Sequence, residues 1–173
     1  MRLTLLLAVI CLLFPGGLWS CGKGNVKDSS DESLVRRFNQ HQTEFSELIE
    51  MSKIDSRVVR IAHAFTWLDN DVSWPRPDSQ IGFSSDRWNQ HRRIFDALGL
   101  KQGLLRTLDT DTVYLIVSTE GNVTSGSSKG YAYSEKPLSP LSESLDRIPP
   151  ALRNSTQVFR KLKENWYLYY QSN

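Results

Sequence analysis

The sequence predicts an α+β domain: one antiparallel sheet of about five to six strands with two helices packed on one face. Three observations predict it. Apolar residues recur at helical spacing in two early segments, Leu34 to Ile49 and Trp88 to Leu98. From Gly103 onward the spacing changes to two, the period of a strand. No internal repeat divides the chain, so these elements belong to a single globular unit over residues 31–173.

Before that unit comes a hydrophobic leader. Arg2 gives it a positive start, Leu3 to Phe14 (LTLLLAVICLLF) an apolar run, and Pro15-Gly16-Gly17 a break. This is the layout of a signal peptide over residues 1–20. The run is shorter than the ~20 apolar residues that a membrane-spanning helix needs. Leu18-Trp19-Ser20-Cys21 resembles the bacterial lipobox, with an aliphatic residue three before the cysteine and a small one directly before it. The resemblance implies lipid attachment at Cys21: its sulfur is alkylated by a diacylglyceryl group, and cleavage frees its amine for a further acyl chain. Each buried methylene contributes about 0.8 kcal/mol, so two or three chains anchor firmly. Gly22 stands where an Asp often accompanies inner-membrane retention, which implies the periplasmic face of the outer membrane. The alternative is a plain secretory leader followed by an unrelated cysteine.

The chain has 173 residues, two cysteines and a formal charge of +2. Cys11 lies inside the leader, so the mature chain has one cysteine and no internal disulfide. Its stability must come from an apolar core, and a chain of about 150 residues can bury close to 70% of its unfolded surface. Loss of Arg2 takes the charge to about +1. Nucleic-acid binding, which asks for a strongly basic domain, is excluded on that ground.

Residues 21–30 are polar and glycine-containing and read as a short flexible tether. Ser29-x-x-Glu32 matches a capping box and opens an amphipathic helix that runs to about Ser52. His41 falls on its apolar stripe, where a boundary or hydrogen-bonded histidine is expected. Arg57 to Phe65 (RVVRIAHAF) is β-branched and reads as a strand carrying His63. Thr66 to Phe83 reads as a long loop with Trp67, Asp69, Asp71 and Trp74, and long loops in compact domains are often functional. Asp69 and Asp71 do not make a calcium loop, because Trp74 and Gln80 occupy the positions that need Gly and Glu.

Ser84 caps the second helix, with Phe83 and Trp88 placed for a hydrophobic staple and Gly99 placed for a left-handed cap. Leu104 to Leu108 is a strand. Thr112 to Thr119 (TVYLIVST) is the strongest strand signal, and its continuous apolar centre predicts burial on both faces. Gly130 to Ser134 is another strand. Pro137, Pro140, Pro149 and Pro150 then punctuate a loop segment. Val158 to Lys163 and Trp166 to Gln171 form a closing hairpin, with Trp166, Leu168 and Tyr170 on one face and Tyr167 and Tyr169 on the other.

No catalytic motif stands out. Gly121 to Lys129 (GNVTSGSSK) lacks the Gly-Lys-Ser/Thr ending of a phosphate loop. No Gly-x-Ser-x-Gly elbow is present, and no second His or Cys sits at metal-ligand spacing from His63. No cofactor is expected.

The segments Gly126 to Ser134 (GSSKGYAYS) and Glu164 to Tyr170 (ENWYLYY), with Phe38 to Glu50 and the Trp88 helix, resemble small bacterial lipoproteins of uncharacterised activity. The resemblance implies a cell-envelope location and no particular chemistry. The expected function is a membrane-anchored interaction module, accessory or inhibitor-like, with an envelope protein as partner. Its contact residues would be Trp67, Trp74, Tyr131 and Tyr133, because aromatics dominate binding hot spots. The alternative is an envelope hydrolase using carboxylates or a histidine, for which a pocket holding His63 with Asp69 or Asp71 would speak.

Overall fold

A computed structural model of the chain describes residues 29–68, 71–73, 82–107, 109–121, 126–152 and 154–172. Cys21, Asp69 and Trp74, and the leader and most of the tether, lie outside the described residues.

The first helical segment is two helices rather than one. Helix α1 spans Asp31–Gln40 and α2 spans Gln42–Ile54, with His41 between them at φ −127° and ψ 32°. Phe38 and Phe45 are seven residues apart and share the apolar face, but a straight helix would hold them about 10 Å apart along its axis. The break at His41 brings the two rings to 5.1 Å. His41 is a boundary residue, with Nδ1 3.3 Å from Glu44. The N-terminal cap is Ser30, whose hydroxyl accepts from the Ser33 amide, one residue later than the capping box predicts.

Helix α3, Ser85–Leu98, follows its signals closely. Ser84 caps it, and Phe83 and Trp88 are both buried. Gly99 takes the left-handed conformation at φ 63°, which lets the Leu100 amide reach the Phe95 carbonyl at 2.8 Å.

Among the described residues the sheet has eight strands, more than the five to six expected. They are β1 Val58–Ile61, β2 Thr66–Leu68, β3 Asp71–Ser73, β4 Leu104–Arg106, β5 Val113–Gly121, β6 Gly126–Tyr133, β7 Gln157–Lys163 and β8 Trp166–Ser172. Their order is β3-β2-β1-β4-β5-β6-β8-β7, and every neighbouring pair is antiparallel. The additional strands, β2 and β3, form a short hairpin inside the stretch that reads as loop. Beyond β7, the Ser142 amide donates to the Phe159 carbonyl at 2.7 Å and the Phe159 amide to the Pro140 carbonyl at 2.9 Å. That segment covers an edge that would otherwise be open to pairing with another chain.

The helices lie on one face of the sheet. Leu34, Phe38, Phe45, Leu48, Phe95 and Leu98 pack there against Ile61, Leu104, Leu115, Tyr131 and Leu168. Phe45 makes edge contacts with both Tyr131 and Trp166. A second cluster occupies the opposite face: Tyr114, Ile116, Ala132, Phe159, Tyr167 and Tyr169, with Leu138 packed on it. Strand β5 feeds both, as its unbroken apolar centre predicts. Val113 and Leu115 face the helices, while Tyr114 and Ile116 face away. No helix among the described residues is long and apolar enough to cross a membrane.

Candidate functional site

A cavity of 390 Å³ lies on the sheet face that the helices leave open. Strand order and side-chain size together build it. On this face β6 presents Gly126, Ser128, Gly130 and Ala132, all small. Ala132 stands between Tyr114 of β5 and Tyr167 of β8, and Gly130 between Ile116 and Tyr169. A strand of small residues flanked by two strands of large ones makes a trough. Leu105, Tyr114, Ile116 and Tyr169 form its apolar walls, and Thr119, Glu120, Ser127, Ser128 and Gln171 give it a polar end.

The small strand is held small. The register of β5 against β6 shifts between Ile116 and Ser118. At that irregularity the Leu115 carbonyl approaches Gly130 so closely that any β-carbon there would collide with it. Gly130, between Ile116 and Tyr169, is therefore kept small by backbone packing.

The walls carry polar atoms. The Tyr114 and Tyr169 rings meet edge to face at 5.0 Å, and the Tyr114 hydroxyl donates to Gln157 Oε1 at 3.4 Å. Burial pushes both phenols up, only partly offset by Gln157 at Tyr114 and by Ser128 and Arg60 at Tyr169. Both are neutral hydroxyls at physiological pH. Arg60 of β1 adjoins this site. It pairs directly with Leu105, so it shares the trough's face, and its charge acts on Tyr169.

The residues expected to form a site are dispersed. Tyr131 is 0% exposed, under the helices, with its hydroxyl donating to the Leu34 carbonyl at 3.0 Å. It is a core residue and not a contact residue, because alternation along β6 sends it to the helix face. Tyr133 is half-buried on the same face, edge-on to Trp166 at 5.1 Å. Trp67 is 38% exposed on β2, beside Phe65 at 5.7 Å. His63 lies 3.1 Å from Asp96 of α3, at the surface. None of the chain's three histidines lines the trough. Among the described residues, no group of three His, Cys, Asp or Glu side chains could hold a metal ion.

Sequence reasoning missed Arg60, Tyr114 and Tyr169. The signals were present. Arg60 is a charged residue inside an apolar strand, and Ser128, Gly130 and Ala132 are small residues at alternate positions of one strand.

No family model matches the chain, and neither curated proteins nor solved structures yield a match.

Proposed function

We propose that the chain is a lipid-anchored binding protein of the bacterial cell envelope, held by Cys21 on the periplasmic face of the outer membrane, and that its trough receives the ligand. The observation that carries this reading is the trough: a pocket of ligand-binding size on the open sheet face, with an apolar wall of Leu105, Tyr114, Ile116 and Tyr169 against a polar end. Binding is favoured over hydrolysis because the pocket wall pairs its hydroxyls with a single carboxylate, Glu120, and offers no histidine or second carboxylate to complete an acid–base pair. The lipobox-like LWSC segment supports the anchor.

Two experiments test the two halves. Intact mass of the membrane-extracted protein is expected to give a chain beginning at Cys21 with added diacylglyceryl and acyl mass; a chain beginning there without lipid overturns the anchor. For the trough, a photo-reactive side chain is placed in cells at Gln171, on the rim, or at Arg93, on the exposed surface of α3. Adducts are expected from the Gln171 position alone. Equal labelling from both positions, or from neither, removes the trough as the binding site.

A further inference from the structure

We infer that the ligand is a small amphipathic monoanion, whose charged group pairs with Arg60 and whose apolar body lies against Tyr114, Ile116 and Tyr169. This rests on the trough being the binding site.

Arg60 is 8% exposed. Its Nη2 donates to the Gln102 carbonyl at 2.7 Å, and its guanidinium carbon lies 6.0 Å from the Phe65 ring centre. No carboxylate among the described residues pairs with it. Arg87, Arg106 and Arg160 each have one, in Asp55, Asp111 and Asp31. A buried cation without a counter-charge is unfavourable unless something supplies that charge. Among the described residues its partners are the Gln102 carbonyl, the Phe65 ring and the neutral Tyr169 phenol, none of which carries a negative charge. Guanidinium is also the side chain best matched to a planar carboxylate, which it can grip with two parallel hydrogen bonds.

The position fits a ligand partner. Arg60 does not itself line the cavity but stands one strand beyond Leu105, which does, on the same face, and its charge acts on the Tyr169 wall. Glu120 lines the same cavity. It disfavours a second negative charge, so a monoanion is selected over a dianion. The apolar walls then ask for a hydrocarbon or aryl body rather than a bare inorganic ion.

The test uses the full-length protein in lipid nanodiscs, titrated calorimetrically at neutral pH against empty discs as the blank. The probes share one body and differ in charge: phenylbutyrate, phenylbutanol, phenylbutylammonium and phenylbutyl phosphate. Phenylbutyrate is expected to bind at least about tenfold more tightly than the other three. In Arg60→Met that preference is expected to disappear, while the unfolding temperature stays the same or rises, because an unpaired buried charge has been removed. A residue that merely braced the fold would lower the unfolding temperature and leave the order of probes unchanged. If the alcohol binds as well as the carboxylate, the trough is a site but the anion inference fails. Tighter binding of the phosphate overturns the monoanion. If no probe binds, both this inference and the trough as a binding site fail. The wild-type series decides these outcomes even if Arg60→Met does not fold.

Discussion

Lys129, from the middle of the sheet, reaches Asp31 at the first turn of α1, with Nζ 2.7 Å from Oδ1. The same ammonium pairs with Asp146, whose Oδ2 accepts the Asp31 amide at 2.9 Å. The other Asp31 oxygen accepts the Leu145 amide at 2.7 Å and the Ser144 hydroxyl at 3.1 Å. The first helical residue after the tether is thus fastened to the sheet and to the loop that follows it.

That arrangement predicts an acid-sensitive joint. Burial pushes the Asp31 carboxyl up, but Lys129 and the Leu145 amide together outweigh it, and the net direction is down from 3.8. A carboxyl lowered on folding contributes stability above its unfolded value, and that contribution is lost as pH falls through the folded value. Resistance to urea is therefore expected to fall below about pH 4. Asp31→Asn should lose about 3 kcal/mol at neutral pH, as for a broken buried pair, and its decline in acid should be shallower. An Asp31→Asn midpoint equal to wild type at neutral pH would show the joint to be dispensable.

Gly130 predicts a second sensitivity. A β-carbon there meets the Leu115 carbonyl, which the β5 irregularity holds in place. Gly130→Ala is expected to cost about 1–3 kcal/mol by overpacking. Ser128→Ala, on the same face of the same strand, loses only a hydroxyl contact with Tyr169 and should cost about 1 kcal/mol. Thermal unfolding of both variants checks the order, and a Gly130→Ala variant as stable as wild type contradicts a residue kept small by backbone packing.

His91 predicts a pH slope nearer neutrality. It is 0% exposed. Its Nδ1 lies 3.0 Å from the Arg87 carbonyl, to which it donates, and its Nε2 lies 3.4 Å from Asp55. Burial pushes the imidazole down; the Arg87 carbonyl and Asp55 pull it back only in part, and the Arg87 charge adds to the lowering. Asp55 and Arg87 are the charged groups in its surroundings. An imidazole lowered on folding gives stability that is complete above its unfolded value near 6.5 and lost as pH falls from there. Stability should decline between about pH 7 and pH 5. His91→Gln should flatten that decline, and an unchanged slope in the variant would assign it to other groups.

Much of the fold was legible because period and end signals agreed. Ser84, Phe83 and Gly99 marked α3, and alternation in TVYLIVST placed β5 between two cores. The His41 break was less legible, since the apolar stripe continues across it and only tertiary packing of Phe38 on Phe45 decides the bend. The hairpin of β2 and β3 was hidden because three-residue strands carry too little alternation to register. The trough was hidden for a different reason. It depends on β5, β6 and β8 lying side by side, and register is not written in any one segment. Aromatic content pointed to Tyr131, yet the parity of β6 sends that ring inward and leaves Gly130 on the open face.

The same parity separates two aromatic residues that looked equivalent in the sequence. Tyr131 packs between helix and sheet and donates to the Leu34 carbonyl, so Tyr131→Phe leaves a buried carbonyl without that donor. It should cost about 1–3 kcal/mol. Trp67 lies on the outer hairpin, 38% exposed, with Phe65 as its ring neighbour. Trp67→Ala should move stability by less than about 1 kcal/mol, while lowering the yield of an envelope protein cross-linked to the tagged full-length chain. Chemical unfolding and in-cell cross-linking of both variants separate the roles. If Trp67→Ala destabilises as much as Tyr131→Phe and leaves the cross-link yield unchanged, Trp67 serves the fold alone and is not a partner contact.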